Sequence, residues 1–219
     1  MNDKLAPPAK SEHEALAAVF WASVQLAPGG SSIKELVDFH SPYRERVDRF
    51  FRIVSETIRD HDAFIRKWQS DDFLQSIVID VKDEILRTTD HEKLQILRNV
   101  LVNAYNGFEL NEYKRTKFMS LVRRYSPDHI KCLHLIAEHD KARRSAGLQD
   151  NQLENFVHVI RQHLEIEDDF LLQIQADLVN DRLIVGKANQ THYPPSTSTK
   201  MTSVSEAFIR FIKVPSLPK

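Results

Sequence analysis

A mainly all-α fold follows from three features of the 219-residue chain. Glycine is scarce, five residues in all, with Gly29, Gly30 and Gly107 at evident turns. Apolar residues recur at helical spacing over most of the length, and Ser or Asp stands before many of those runs as a cap. From Ser126 the order becomes three amphipathic helices, a short strand (Leu183, Ile184, Val185), a turn-rich segment and a closing helix. That is the order of a winged helix. The predicted architecture is an N-terminal helical bundle over 11–125 and a winged-helix-like unit with a small β wing over 126–219, after a disordered lead over 1–10.

Ser11 opens the first helix, with Glu14 at capping-box spacing. Its body from Ala15 to Leu26 is almost uncharged, so most of its surface must be buried. Pro28-Gly29-Gly30 stops it, and Ser31 or Ser32 caps a short helix through Val37. Ser41-Pro42 starts the longest helix, expected to run to Gln69. Val47, Phe51, Val54, Ile58, His61, Ile65 and Trp68 follow steps of four and three, a heptad seam. Glu45 with Arg49 and Asp48 with Arg52 are opposite charges four apart, worth about 0.2–0.5 kcal/mol each on an exposed face. His61 in the seam is read as a hydrogen-bonded or partly exposed core histidine, against a pH switch or a ligand. Phe51, Ile58, His61, Ile65 and Trp68 form the candidate self-association surface, in competition with packing on the Ser11–Leu26 helix inside one monomer.

Asp71 or Asp72 caps a helix to about Thr88, with Leu74, Ile77, Val78, Val81 and Ile85 on one face. Asp90 caps the next, with Leu94, Leu97, Val100, Leu101 and Ala104 inward, and Asn106-Gly107 ends it. A helix from about Leu110 to Tyr125 completes the bundle, and Ser126-Pro127-Asp128 marks the boundary. Asp128 then starts a helix to about Asp140, and Lys141 to Gln149 reads as a charged connector. Leu153, Phe156, Val157, Ile160 and Leu164 share one helical face, Phe170, Leu171, Ile174 and Leu178 another, with His163 to Ile166 as the tight turn between them. Lys187 to Lys200, with Pro194-Pro195, reads as the wing. Ser203 and Glu206 match a capping box before Val204, Phe208, Phe211 and Ile212.

The charges oppose what the scaffold suggests. The helix in the recognition position carries Glu165, Glu167, Asp168, Asp169, Asp177 and Asp181, and the chain's formal net charge is −1. DNA affinity rests mainly on Lys and Arg at phosphates. A nucleic-acid partner is therefore disfavoured, and so is a bulk basic field for lipid. The run Glu165 to Asp169 is read as capping N–H groups and opposing the helix dipole, against a pair of catalytic carboxylates. Two basic clusters stand before that helix: Lys114, Arg115, Lys117, Arg123 and Arg124, then Lys141, Arg143 and Arg144. They are either a solvated face or a patch for phosphate or an acidic partner, without base readout.

No glycine-rich phosphate loop, Gly-x-Ser-x-Gly elbow or Cys–His pairing of known spacing occurs. No catalytic residue or cofactor is assigned. His129, His134 and His139 are five apart, whereas metal pairs on helices stand three or four apart, so no metal ligands are assigned. His134 with Glu138 and His163 with Glu167 have the separation but lack a third ligand. Cys132 is the single cysteine and reads as a buried small hydrophobe. The N-terminus lacks the pattern of a signal peptide, Ala15 to Gly30 is too short for a membrane span, and the expected location is the cytoplasm.

Several phrases carry a resemblance. They are Leu26-Ala-Pro-Gly-Gly-Ser-Ser32, Arg87-Thr-Thr with Glu92-Lys93, Leu97-x-Asn99 with Asn103-Ala104, and Leu121 through Ser126-Pro-Asp-His-Ile130. The closing run is Thr202-x-Val204-Ser205 with Phe208-Ile209 and Phe211-Ile212. The chain resembles bacterial and prophage-associated helical proteins of uncharacterised role that end in a winged-helix-like unit, where glycine is usual at the Ser205 position. The resemblance implies a bacterial, cytoplasmic, mostly helical protein, and it brings no catalytic residue or cofactor. The expected function is a non-enzymatic interaction or regulatory protein of prophage or defence context, acting through a protein partner or as a homodimer. A DNA-binding transcriptional regulator and an enzyme without a recognisable motif are the alternatives.

Overall fold

The computed structural model describes residues 42–58, 60–146, 160–161, 163–185 and 200–214. They form eight α-helices and one two-stranded sheet: α1 (Pro42–Ser55), α2 (His61–Ser70), α3 (Asp72–Ile85), α4 (His91–Tyr105), α5 (Glu112–Arg124), α6 (Pro127–Ser145), α7 (Asp168–Asn180), β1 (Ile184–Val185), β2 (Lys200–Met201) and α8 (Ser203–Ile212). Ile160 and Arg161 are also helical. Among the described residues, no helix is long and apolar enough to cross a membrane. The expected lead over 1–10, the expected helices over Ser11–Leu26 and through Val37, the positions Leu153, Phe156 and Val157, and most of the expected wing lie outside the described residues.

The chain divides into two compact units, residues 42–113 with Val214, and Lys114–Lys213. The division falls at Lys114, before the expected boundary at Ser126. The cause is α5, whose Phe118 ring lies 5.3 Å from Phe208 and 5.8 Å from Phe211. That aromatic cluster is wholly buried and ties α5 to α8.

In the first unit the caps follow the sequence. Asp71 accepts the Leu74 N–H at 2.9 Å, and Asp90 accepts those of Glu92 and Lys93. The predicted faces of α3 and α4 are buried, with Leu74, Ile77, Ile85, Leu97 and Val100 fully so, each worth roughly 1.5–3 kcal/mol against exposure. Gly107 ends α4 in the left-handed region at φ 89°. Its N–H donates to Ala104 O, and the Phe108 N–H donates to Asn103 O, the two bonds of a Schellman motif. Arg46 donates to Leu86 O at 3.1 Å and Lys67 to Tyr105 O at 2.7 Å, so two cations cover helix C-termini.

The expected Pro42–Gln69 helix is two helices. Ser55 and Thr57 donate their hydroxyls back to the carbonyls of Arg52 and Ile53, which competes with the helical ladder. Asp60 then accepts the Ala63 N–H at 2.8 Å and begins α2 afresh. Steps of four and three persisted across the break, so periodicity alone concealed it.

The second unit carries three further corrections. Helix α6 continues to Ser145, through the first part of the expected connector, because the Asp140–Arg144 ion pair spans one turn there and Arg143 is buried. Helix α7 begins at Asp168, so Glu165 and Glu167 precede it; Glu167 is the N-cap residue, yet its side chain makes no capping bond. The box before α8 starts one residue earlier than expected. Thr202 accepts the Ser205 N–H at 3.1 Å and Ser205 Oγ accepts the Thr202 N–H at 2.9 Å. Glu206 is exposed, and its carboxylate pairs with Arg144. The strands pair antiparallel with Ile184 opposite Met201, and Thr202 Oγ1 donates to Arg182 O at 2.8 Å, joining the start of α8 to the end of α7.

Candidate functional site

Two sites in the second unit gather the polar chemistry. The first is the elbow between α5 and α6. Pro127 sets the turn by starting α6 at a position where its missing N–H costs nothing. The elbow turns Arg124, Tyr125 and His129 toward the last turns of α7. Arg124 donates to both oxygens of Asp181, at 2.7 and 2.8 Å, and Tyr125 OH donates to Asp181 Oδ2 at 2.6 Å. His129 lies 3.3 Å from Asp177 Oδ2 through Nε2 and 2.8 Å from Ser126 Oγ through Nδ1. Its ring stacks on Tyr125 at 4.8 Å and meets the edge of Phe170 at 6.2 Å.

These contacts set the local acid–base properties. Burial first, then the bond to Asp181, pushes the Tyr125 phenol well above its ordinary range. The bond to Asp181 raises the Arg124 guanidinium further. Burial, with the Asp128 charge beside it, pushes the Cys132 thiol up to about 12, so at neutral pH it is no nucleophile. Three of the six carboxylates that mark the recognition position in the sequence, Asp177 and Asp181 here and Asp168 through Arg161, are thus held by groups of their own unit. Ser126, His129 and Asp177 are hydrogen-bonded in series, but His129 is almost fully buried between two aromatic rings, so the series holds the elbow.

The second site is a groove of about 670 Å³ along the last turns of α6, beside β2 and α8. Ala137, Met201 and Ile209 supply its apolar lining; Lys141, Arg144, Glu206 and Arg210 supply its charged rim. Arg144 binds the buried Asp140 and also reaches Glu206 at 3.3 Å, a pair in which both side chains are about half exposed. The hydrogen bond to Asp140 raises the Arg144 pKa.

Of the two predicted basic clusters, only the second contributes to the described lining of the groove. Lys141 and Arg144 meet at the groove, whereas Arg143 is 5% exposed and contributes no surface charge, a correction to its place in the patch. Lys114, Arg115, Lys117 and Arg123 lie along α5 with Lys114 and Arg123 exposed, while Arg124 is engaged by Asp181. The sequence reading missed Arg210 and Glu206 as rim residues. Their signal was the four-residue spacing on the polar side of a helix whose apolar side was already clear.

In the candidate self-association seam, Phe51 and Ile58 are each 3% exposed and belong to the core of the first unit. His61, Ile65 and Trp68 stand half-buried on the separate helix α2. His61 Nε2 lies 3.4 Å from Ser55 O, across the break. His163 and Glu167 do not share a helix, which removes their i,i+4 relation. No group of three or more metal-ligating side chains occurs among the described residues. No family model, curated protein or solved structure matches the chain.

Proposed function

We propose that the chain is a non-enzymatic interaction or regulatory protein, of bacterial or prophage context, that acts through protein–protein contacts. Its second unit is a winged helix in which the recognition position has been given up as a DNA reader. One observation carries this reading: α7 holds three aspartates and no lysine, arginine or histidine over Asp168–Asn180. A helix entering a groove of DNA needs cations near phosphates. The cations of this unit that line a cavity stand instead on α6 and α8, beside apolar groups, where they suit an acidic protein surface.

A pull-down from native lysate, with and without nuclease, tests the proposal. Proteins retained after nuclease treatment and released by Lys141→Glu support it. Binding to random duplex at moderate salt is expected to be weaker than the ~10⁻⁴–10⁻⁶ M of nonspecific DNA-binding proteins. A sub-micromolar, salt-sensitive duplex complex would replace this reading with that of a DNA-binding regulator, which the order of α7, β1, β2 and α8 would then serve.

A further inference from the structure

The second unit bears two surfaces of opposite character. One is the groove, whose rim among the described residues carries Lys141, Arg144 and Arg210 with Glu206, over an apolar lining. The other is the segment entering α7, where Glu165, Glu167 and Asp169 are exposed and Phe170, a large apolar residue, is 42% exposed beside them. An exposed aromatic flanked by carboxylates is the chemical complement of an apolar groove rimmed by cations.

The two cannot meet within one molecule as folded. Phe170 packs near His129 in the first turn of α6, whereas the groove begins at Ala137 and extends past Lys141. Along the helix, His129 is about 12 Å from Ala137 and about 18 Å from the rim cation Lys141. We infer that the acidic entry to α7 of one copy, with Phe170 as its anchor, docks into the Lys141–Arg210 groove of a second copy. The occupant is a second copy because its own surface supplies both the charges and the anchor that the groove requires. The exposed Arg144–Glu206 pair opens to the incoming carboxylates, and Asp140 keeps Arg144 in place as it does so. The two surfaces differ, so the contact is heterologous and propagates head to tail into a ring or an open chain. This goes beyond the proposal above by naming the partner, and a lysate partner could still be found if it failed.

Light scattering on the full chain tests it, with two charge-reversal variants: Lys141→Glu/Arg210→Glu in the groove and Glu167→Lys/Asp169→Lys at the entry to α7. Wild-type mass should rise with protein concentration. It should fall as salt goes from about 0.1 M to about 1 M, which shortens the screening length from about 10 Å to about 3 Å. Each variant alone should associate at least about tenfold more weakly, since like charges then face one another. A one-to-one mixture should recover association, because each reversed surface meets its complement on the other variant. That recovery also shows that both variants fold. A monomeric wild type at low salt and about 0.2 mM protein, well above the micromolar range of specific contacts, would overturn the inference. So would unchanged self-association of either variant, or a mixture that stays monomeric while both variants melt as wild type does.

Discussion

Replacing Phe118 by Ala tests where the second unit begins. Phe118 is 1% exposed, and Phe208 and Phe211, which flank it, are 0% exposed. Truncating a buried phenylalanine costs about 3–5 kcal/mol, and lost aromatic pairs add about 0.5–1.5 kcal/mol. Taking 3–5 kcal/mol at 1.4 kcal/mol per decade, opening of the unit becomes about two to three and a half orders of magnitude more frequent. Cys132 reports that opening. It is the only cysteine, it is fully buried in the same unit, and its thiol is held protonated. The rate of Cys132 labelling by a thiol reagent under native conditions should rise by that factor in Phe118→Ala, and equally in Phe208→Ala. Labelling of Phe118→Ala within about threefold of wild type, against an expected hundredfold or more, would refute the assignment and return α5 to the first unit.

Arg182 occupies the left-handed position after α7 at φ 59°, between Schellman bonds from its own N–H to Val179 O and from Leu183 N–H to Leu178 O. Arg182→Gly should therefore raise the urea midpoint, relieving about 1–2 kcal/mol of strain less glycine's extra unfolded-state entropy. The His134 imidazole is held below its ordinary value of 6.5 by burial first, with Lys213 adding to this and Glu138 opposing it. Below about pH 6.5 the unfolded state then binds more protons than the folded one, so His134 contributes stability above that pH that is lost as pH falls. His134→Gln should lose less stability than wild type between about pH 7 and pH 5, followed by urea unfolding at each pH.

Much of the fold was legible because local rules and tertiary packing agreed. Asp71, Asp90 and Gly107 mark helix ends by bonds within a few residues, and the apolar faces of α3 and α4 need only their own periodicity. The errors share one cause: each needed a partner remote in sequence or a local competitor to the helix. The break after Ser55 depends on two hydroxyls turning back on carbonyls. The extension of α6 past Asp140 depends on burying Arg143, which composition marks as surface. The boundary moved because Phe118 and Phe208, ninety residues apart in number, share one core. The candidate site was half legible. Lys141 and Arg144 stood out as charges, but only folding places Arg210 and Met201 beside them.

The acidity of α7 has two parts, and they have different causes. Asp168 and Asp169 stand at the N-terminal end, where the helix dipole favours them, and Asp168 also accepts from Arg161 at 2.9 Å. Asp177 and Asp181 stand at the opposite end, where the dipole disfavours a carboxylate. There Arg124, Tyr125 and His129 make them structural. Removing the two kinds should have different effects. Asp181→Ala leaves the Tyr125 hydroxyl, in a side chain 3% exposed, without its acceptor, and should cost about 1–3 kcal/mol. Arg124 adds little, because its side chain is about half exposed. Tyr125→Phe in the Asp181→Ala background should recover part of the loss, since removing both partners of a hydrogen bond is milder than removing one. Asp169→Ala, by contrast, removes only a dipole contact worth about 0.3–1 kcal/mol and, on the docking inferred above, should weaken self-association. Urea unfolding of the four chains, with light scattering on the last, separates the outcomes. Equal destabilisation by Asp169→Ala and Asp181→Ala would show that the exposed acids at the head of α7 are also part of the scaffold and not a surface kept for binding.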